Sequence, residues 1–214
     1  MKSLSTTPSR HVGAAKQRGL VLFFALIALV AMSLAAITLV RSVDTTTLIS
    51  GNLAFRQAAT TSADGGTETA VNTMAALELA NLAKNVFTDT THAFNVTNAA
   101  IGYYSNVGTA PDLMAATTWV NGISSAAVTE ATGNGNTYRY IIERMCRTPN
   151  VVLTIQNCLF SSAAANKSNM AVPLPSSICE GPGCPKAGQT PLYRVTVRVT
   201  GPKNTISYIQ AMVY

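Results

Sequence analysis

The chain has 214 residues, enough for one modest domain beside an apolar segment. Charged residues make up only 11%, and Ala, Thr, Asn, Ser and Gly are abundant, a composition that suits an exported or surface protein better than a cytosolic enzyme. The formal charge of +6 does not mark a nucleic-acid binder: four of the 15 Lys and Arg (Lys2, Arg10, Lys16, Arg18) precede the apolar run, and without them 11 basic residues face 9 acidic ones, a charge of +2.

Residues 1–19 form a basic leader without an acid, and the uncharged run Leu20 to Val40 follows, closed by Arg41. About 21 apolar residues cross a hydrocarbon core as a helix. The positive leader holds its end in the cytoplasm, so the remainder crosses. A secretory signal has an apolar core of about 7–15 residues and a small-residue cleavage site. This run is longer, and LVRSVDTTTLISGN after it holds no A-x-A-like site. A single-span anchor with an outer C-terminal domain is the simplest physical reading.

The front edge of the run carries more. Gln17-Arg18-Gly19 directly before Leu20 resembles the cleavage site of type IV prepilins, where a peptidase on the cytoplasmic side cuts after the glycine. The chain is further similar to minor pilins of the PilX family. Ser50 to Ala59, with Gly51, Asn52 and Arg56, resembles the motif that follows the membrane half of that family's helix, and Asp64, Glu68 and Ala70 continue it. Asn136 to Cys146, Tyr193 to Asn204 and the Tyr208 to Tyr214 ending are similar to its C-terminal strands. The resemblance implies cleavage after Gly19, Leu20 as first mature residue, and an assembly helix containing Leu22, Phe23, Phe24, Leu26 and Ile27. It implies other minor pilins, the major pilin, a large tip adhesin, the prepilin peptidase and an inner-membrane assembly platform as partners. It implies a life first in the inner membrane with the C-terminal domain periplasmic, then in the pilus.

One departure is informative. Most pilins carry glutamate at the fifth mature position, and here that residue is Phe24. In such filaments the glutamate of an incoming subunit meets the amine of the subunit above. A subunit with nothing above it would bury that carboxylate unpaired, which is costly. Phe24 therefore suits the tip or an initiation complex.

From Leu20 to Ala63 there is no proline, and apolar residues recur at helical spacing through Val43, Leu48, Leu53, Phe55, Ala58 and Ala59. This predicts a helix of about 44 residues with a span at 20–41 and a continuation whose apolar stripe packs on the domain. Gly51-Asn52 is a kink point, Gly65-Gly66 leaves a break or a kink open, and a further helical stretch runs Thr67 to Val86, so that 42–86 is the helical continuation. In it Met74, Leu77, Ala80, Leu82 and Ala83 are available for packing. Asp64 and Glu68 read as a solvated acidic face. Residues 87–135 read as a variable loop region that contacts partners, with Tyr103, Tyr104 and Trp119 as satellite core.

Residues 136–214 read as an antiparallel sheet with cysteine-containing loops. Tyr138 to Met145 is β-rich, and Val151 to Ile155 is expected to pair with it. Tyr193, Val195, Val197 and Val199 alternate with Arg194, Thr196, Arg198 and Thr200, a strand with one polar, solvated face. Gly201 to Asn204 turns the chain into a closing strand, Thr205 to Tyr214. The fold class is α+β: a long N-terminal helix, membrane-spanning in its first half, laid over Val195, Val197 and Val199 of a C-terminal antiparallel sheet, as in type IV pilins.

Four cysteines beyond the span read as two disulfides, and we expect the local pairs Cys146–Cys158 and Cys179–Cys184. Their spacing fits no zinc knuckle, and neither a metal nor a cofactor is expected. His92 alone could serve a mature catalytic site. It reads as a surface or loop residue in a Thr-rich stretch, and no enzyme motif accompanies it. Arg194 and Arg198 share a strand face and read as solvated or as a site for an anionic partner. The expected function is a non-enzymatic minor pilin at or near the pilus tip, supporting biogenesis, adhesion and twitching motility. The alternatives are a tip pseudopilin of a type II secretion system, an uncleaved anchored periplasmic binding protein, and a DNA-uptake subunit, which the near-neutral mature charge disfavours.

Overall fold

The computed structural model describes residues 19–130, 133, 135–162, 168, 170–172 and 174–214. All of the leader but Gly19 lies outside the described residues. The elements in chain order are helix α1 (Leu20–Leu79) and strands β1 (Tyr103–Tyr104), β2 (Val128–Thr129), β3 (Thr137–Arg144), β4 (Phe160–Ser161), β5 (Thr190–Pro191), β6 (Tyr193–Thr200) and β7 (Ile206–Val213). Short 3-10 turns punctuate the connections. The chain forms two compact units, one ending at Asn52 and the other spanning Leu53–Tyr214.

From Leu20 onward the first unit is helical, and these residues are exposed apart from half-buried Gly51. Its polar side chains turn back onto the backbone: Ser33 donates to the Leu29 carbonyl and Thr38 to that of Ala35, both at 2.8 Å. Hydroxyls satisfied in this way can sit in lipid without an unpaired donor. Among the described residues this is the one helix long and apolar enough to cross a membrane, with a mean hydropathy of 2.9 in its most apolar window.

In the second unit the helix lies on the sheet along a stripe of mostly small residues. Ala63, Ala70 and Met74 are buried, Ala59 and Leu77 partly so, against Tyr138, Tyr140, Ile142, Val195, Val197 and Val199. The helix runs unbroken through Gly65-Gly66, which settles the point the sequence left open. Gly66 lets the two layers touch: a Cβ there would lie 2.6 Å from Val197 Cγ1 and 3.1 Å from the Tyr138 ring. Hydroxyl contacts flank the stripe, Thr69 Oγ1 to Tyr138 Oη at 2.9 Å and Thr73 Oγ1 to Tyr140 Oη at 2.7 Å. Tertiary contact thus outweighs the poor helix propensity of two glycines, about 1 kcal/mol each.

Packing begins at Ala59, not at Arg41: Val43, Leu48, Leu53 and Phe55 are exposed. The helix also ends earlier than expected, at Leu79, and Ala80, Leu82 and Ala83 are exposed in turns rather than packed. Asn81 stops it by donating its side-chain amide to the Leu77 carbonyl at 2.8 Å.

The main sheet has the order β1-β3-β6-β7, with β2 on the same edge of β3 as β1. The pairs β3/β6 and β6/β7 are antiparallel over eight residues each. The sheet is nevertheless mixed, because β1 joins β3 in parallel through Tyr103↔Ile142 and Tyr104↔Glu143. β4 and β5 form a separate two-stranded piece.

Val151 to Ile155 is not a strand. Leu153 packs with the Cys146–Cys158 pair, the Val151 carbonyl accepts from Arg144, and Ile155 donates to Gly183, so the segment's backbone groups are used by loops. The far face of the sheet is not fully solvated either. Trp119, Tyr104 and Ile141 form a second small core with Leu113 and Tyr208 packed against it, and Thr196 is buried. Residues 87–135 therefore contribute core on both faces, Phe94 and Tyr103 under the helix and Trp119 outside, which matches the satellite-core reading for Trp119 and Tyr104.

Candidate functional site

The residues proposed for assembly lie together at the start of α1. Leu22, Phe23, Phe24, Leu26 and Ile27 are each about half to two-thirds exposed, and the Phe23 and Phe24 rings meet edge to face with centroids 6.2 Å apart. Phe23, Leu26, Ile27, Val30, Ala31 and Leu34 line one shallow apolar groove on a single helical face, at the i, i+3, i+4, i+7 spacing that a neighbouring helix would match. Phe24 stands off that face. Gly19 precedes the helix in a turn, Leu20 opens it, and a Cβ on Gly19 would meet nothing within 4 Å.

The motif residues further on do not converge into a site. Asn52, Arg56, Asp64 and Glu68 are exposed along α1 and Gly51 is half-buried, which agrees with the solvated reading of the acidic pair. Nearby, Ser62 is buried and linked to the sheet end, accepting from Asn136 Nδ2 at 2.7 Å and bonding Glu130.

Both expected disulfides are present, Cys146–Cys158 and Cys179–Cys184. The first bridges strand β3's exit to the following loop through an isolated β-bridge between the same two residues. The second closes the turn-rich loop ICEGPGCP, against which Asn85, Phe87, Thr88 and Leu153 form a small polar cleft. Among the described residues no group of three or more His, Cys, Asp or Glu could hold a metal ion.

His92 lies in a loop, as one of the two readings had it, but not at the surface. It is buried, packs on Phe94 with ring centroids 5.6 Å apart, and its Nδ1 accepts the Phe94 amide at 3.2 Å, capping a 3-10 turn. Its Nε2 lies 3.9 Å from a Glu78 carboxylate oxygen. Burial pulls the imidazole below its usual value, opposed by Glu78 and Asp89, so it is held neutral as a cap.

Arg144 escaped the sequence reading. It is fully buried and donates Nε to the Ser105 carbonyl at 2.9 Å, Nη1 to Asn95 Oδ1 at 2.6 Å and Nη2 to the Val151 carbonyl at 2.7 Å. One guanidinium thus ties three connecting segments to the end of β3. The signal was the period of two: after Tyr138, Tyr140 and Ile142, the next core-facing position is 144. Burial lowers its pKa, and the neutral acceptors satisfy it without a carboxylate.

Arg194 and Arg198 share the outer face of β6 as expected, but they have different partners. Arg194 donates Nη2 to Glu143 Oε2 at 2.6 Å and Nε to the same oxygen at 3.0 Å, so it serves a buried carboxylate. Arg198 faces Arg139 instead. No protein-family model, curated protein or solved structure matches the chain.

Proposed function

We propose that the chain is a minor pilin of the PilX type, clipped after Gly19 and built into a type IV pilus at or near its tip. The resemblance in the quoted motifs supports this, and one observation carries it. The uncharged run ends at Arg41, after which a bilayer no longer covers the helix. Yet Leu48, Ile49, Leu53 and Phe55 are each at least half exposed beyond it. A plain anchor has no use for apolar side chains in that position, whereas a bundle of sister helices buries both stretches. Moving the span from lipid to such a bundle trades one apolar environment for another and costs little.

In this reading Phe24 spares the subunit an unpaired carboxylate, which suits a place at the top of the filament or in its initiation complex. Other minor pilins, the major pilin and a tip adhesin are its partners, with pilus biogenesis, adhesion and twitching motility the outcome. The inner membrane is its first location, with the disulfide-bonded domain in the periplasm. The chain acts by assembly, not by catalysis.

The test is Gly19→Val. Because a Cβ at Gly19 meets nothing, the substitution leaves the fold intact and changes only the peptidase site. Full-length precursor should accumulate in the membrane and surface fibres should be lost. Normal processing with normal piliation overturns the proposal.

A further inference from the structure

Two cross-strand arginine pairs lie on the outer face of the β3/β6 ladder, and the fold treats them differently. Glu143 stands opposite Arg194, while Arg139 stands opposite Arg198, with Ile141 and Thr196 between the two pairs. The first is a hydrogen-bonded ion pair. The second sets two cations side by side, an arrangement that destabilises a sheet.

Neither Arg139 nor Arg198 has a carboxylate within 4 Å among the described residues. Glu143 is four residues along the strand from Arg139, about 13 Å away, and is already occupied. Arg139 is held in place by neutral acceptors, Nη1 donating to Asn121 Oδ1 at 2.8 Å and to the Ser125 carbonyl at 2.7 Å. Burial, then Arg198, lowers its pKa, as expected for a cation partly withdrawn from water beside another. Arg198 is half-buried, and its Nε is shielded from solvent with no acceptor at all. A buried donor left unmade is costly, and here it coincides with unrelieved repulsion.

We propose that Arg139 and Arg198 form a binding site for a carboxylate supplied from outside this fold. A guanidinium presents a planar fork that pairs with a carboxylate through two parallel bonds. The neighbouring amides of Ile123, Ser124 and Ser125 all donate to carbonyls within the fold, so the site offers guanidinium forks rather than the nest of backbone N–H groups that cradles phosphate. A carboxylate bridging the two guanidinium groups would cancel the repulsion, and a turn of the half-buried Arg198 side chain toward solvent would bring its shielded Nε to the ligand. The carboxylate can belong to a small free acid or to an acidic side chain of another polypeptide. The site stands independently of the assembly role.

The test uses the full chain in zwitterionic detergent with arginine side-chain nitrogens labelled, following the Nε–H resonances. Acetate and, separately, a blocked glutamyl peptide are titrated against chloride at matched ionic strength. The Arg198 resonance should move saturably with carboxylate and not with chloride. Arg139→Gln should weaken the response about tenfold or more, the loss of one charge-assisted contact, and Arg198→Gln should abolish saturable binding. Arg139→Lys keeps the charge without the fork and should also weaken it, which separates recognition from a general loss of positive charge. A response to acetate alone supports a small free acid, and a response to both supports a polypeptide carboxylate as well. A shift no different from chloride, or saturable binding that survives Arg198→Gln, overturns the site.

Discussion

Two adjacent glycines in α1 give the sharpest quantitative prediction. Both sit mid-helix, so each replacement by alanine gains about 1 kcal/mol of helix propensity. At Gly65 nothing lies within 4 Å of an added Cβ, and the gain should appear in full. At Gly66 the Cβ would meet Val197 Cγ1 at 2.6 Å and the Tyr138 ring at 3.1 Å, and neither can withdraw. Val197 is wholly buried with a stiff branched side chain, and Tyr138 is buried and bonded to Thr69. Overpacking of this kind costs about 1–3 kcal/mol, so Gly66→Ala should range from neutral to about 2 kcal/mol destabilising. The two variants should differ by about 1–3 kcal/mol, or roughly 3 °C in Tm per kcal/mol for a unit of this size. The single tryptophan, buried Trp119, reports unfolding of the Leu53–Tyr214 unit by fluorescence. Equal stabilisation by both alanines would mean that the helix does not rest on β6 at this point, and the packing argument would fail.

The remaining predictions concern the loops and their chemistry. Replacing Cys146 and Cys158 together by alanine removes a cross-link across a separation of 12 and should lower stability by about 3 kcal/mol in a denaturant titration, whereas the Cys179–Cys184 pair, separated by 5, should cost about 2. An inverted order would show that loop closure is not what these bonds contribute. His92 has a folded-state pKa below its ordinary 6.5, so the unfolded chain takes up a proton that the native chain refuses. Its contribution to stability is therefore complete above about pH 6.5 and is lost progressively as pH falls below that value. His92→Asn keeps a capping acceptor for Phe94 and should flatten this part of the pH–stability curve; an unchanged slope would contradict the buried neutral imidazole.

Much of this architecture is written in periodicity. The alternation from Tyr193 to Thr200 gave β6 and its core face, and the long charge-free run gave the span. Both signals are strong because many residues repeat the same instruction. What was left open or misread depended on contacts made by single residues. Gly65-Gly66 leaves the continuity of the helix open locally, and only the approach of Val197 explains why one of the pair is needed inside a helix. His92 sits among threonines that suggest a surface, yet one stacking partner, Phe94, and one cap draw it inward. Residues 87–135 carry no period because their core residues arrive singly between turns. On the outer sheet face, sequence spacing grouped Arg194 with Arg198, whereas strand register assigns each a different neighbour, Glu143 and Arg139. The apolar helix that carries Phe23 and Leu26 was legible, since composition alone marks such a helix, but the lining of its groove by Val30, Ala31 and Leu34 was not. The disulfide pairs were equally legible, since both join cysteines close in sequence.

The central claim is that the apolar helix is released from its basic leader and exchanges lipid for neighbouring helices. Amino-terminal sequencing of the protein recovered from sheared surface fibres tests it most directly. The account predicts a chain that begins at Leu20 and is present in those fibres. Protein that still carries the residues before Leu20, found in membranes and never in fibres, would contradict it.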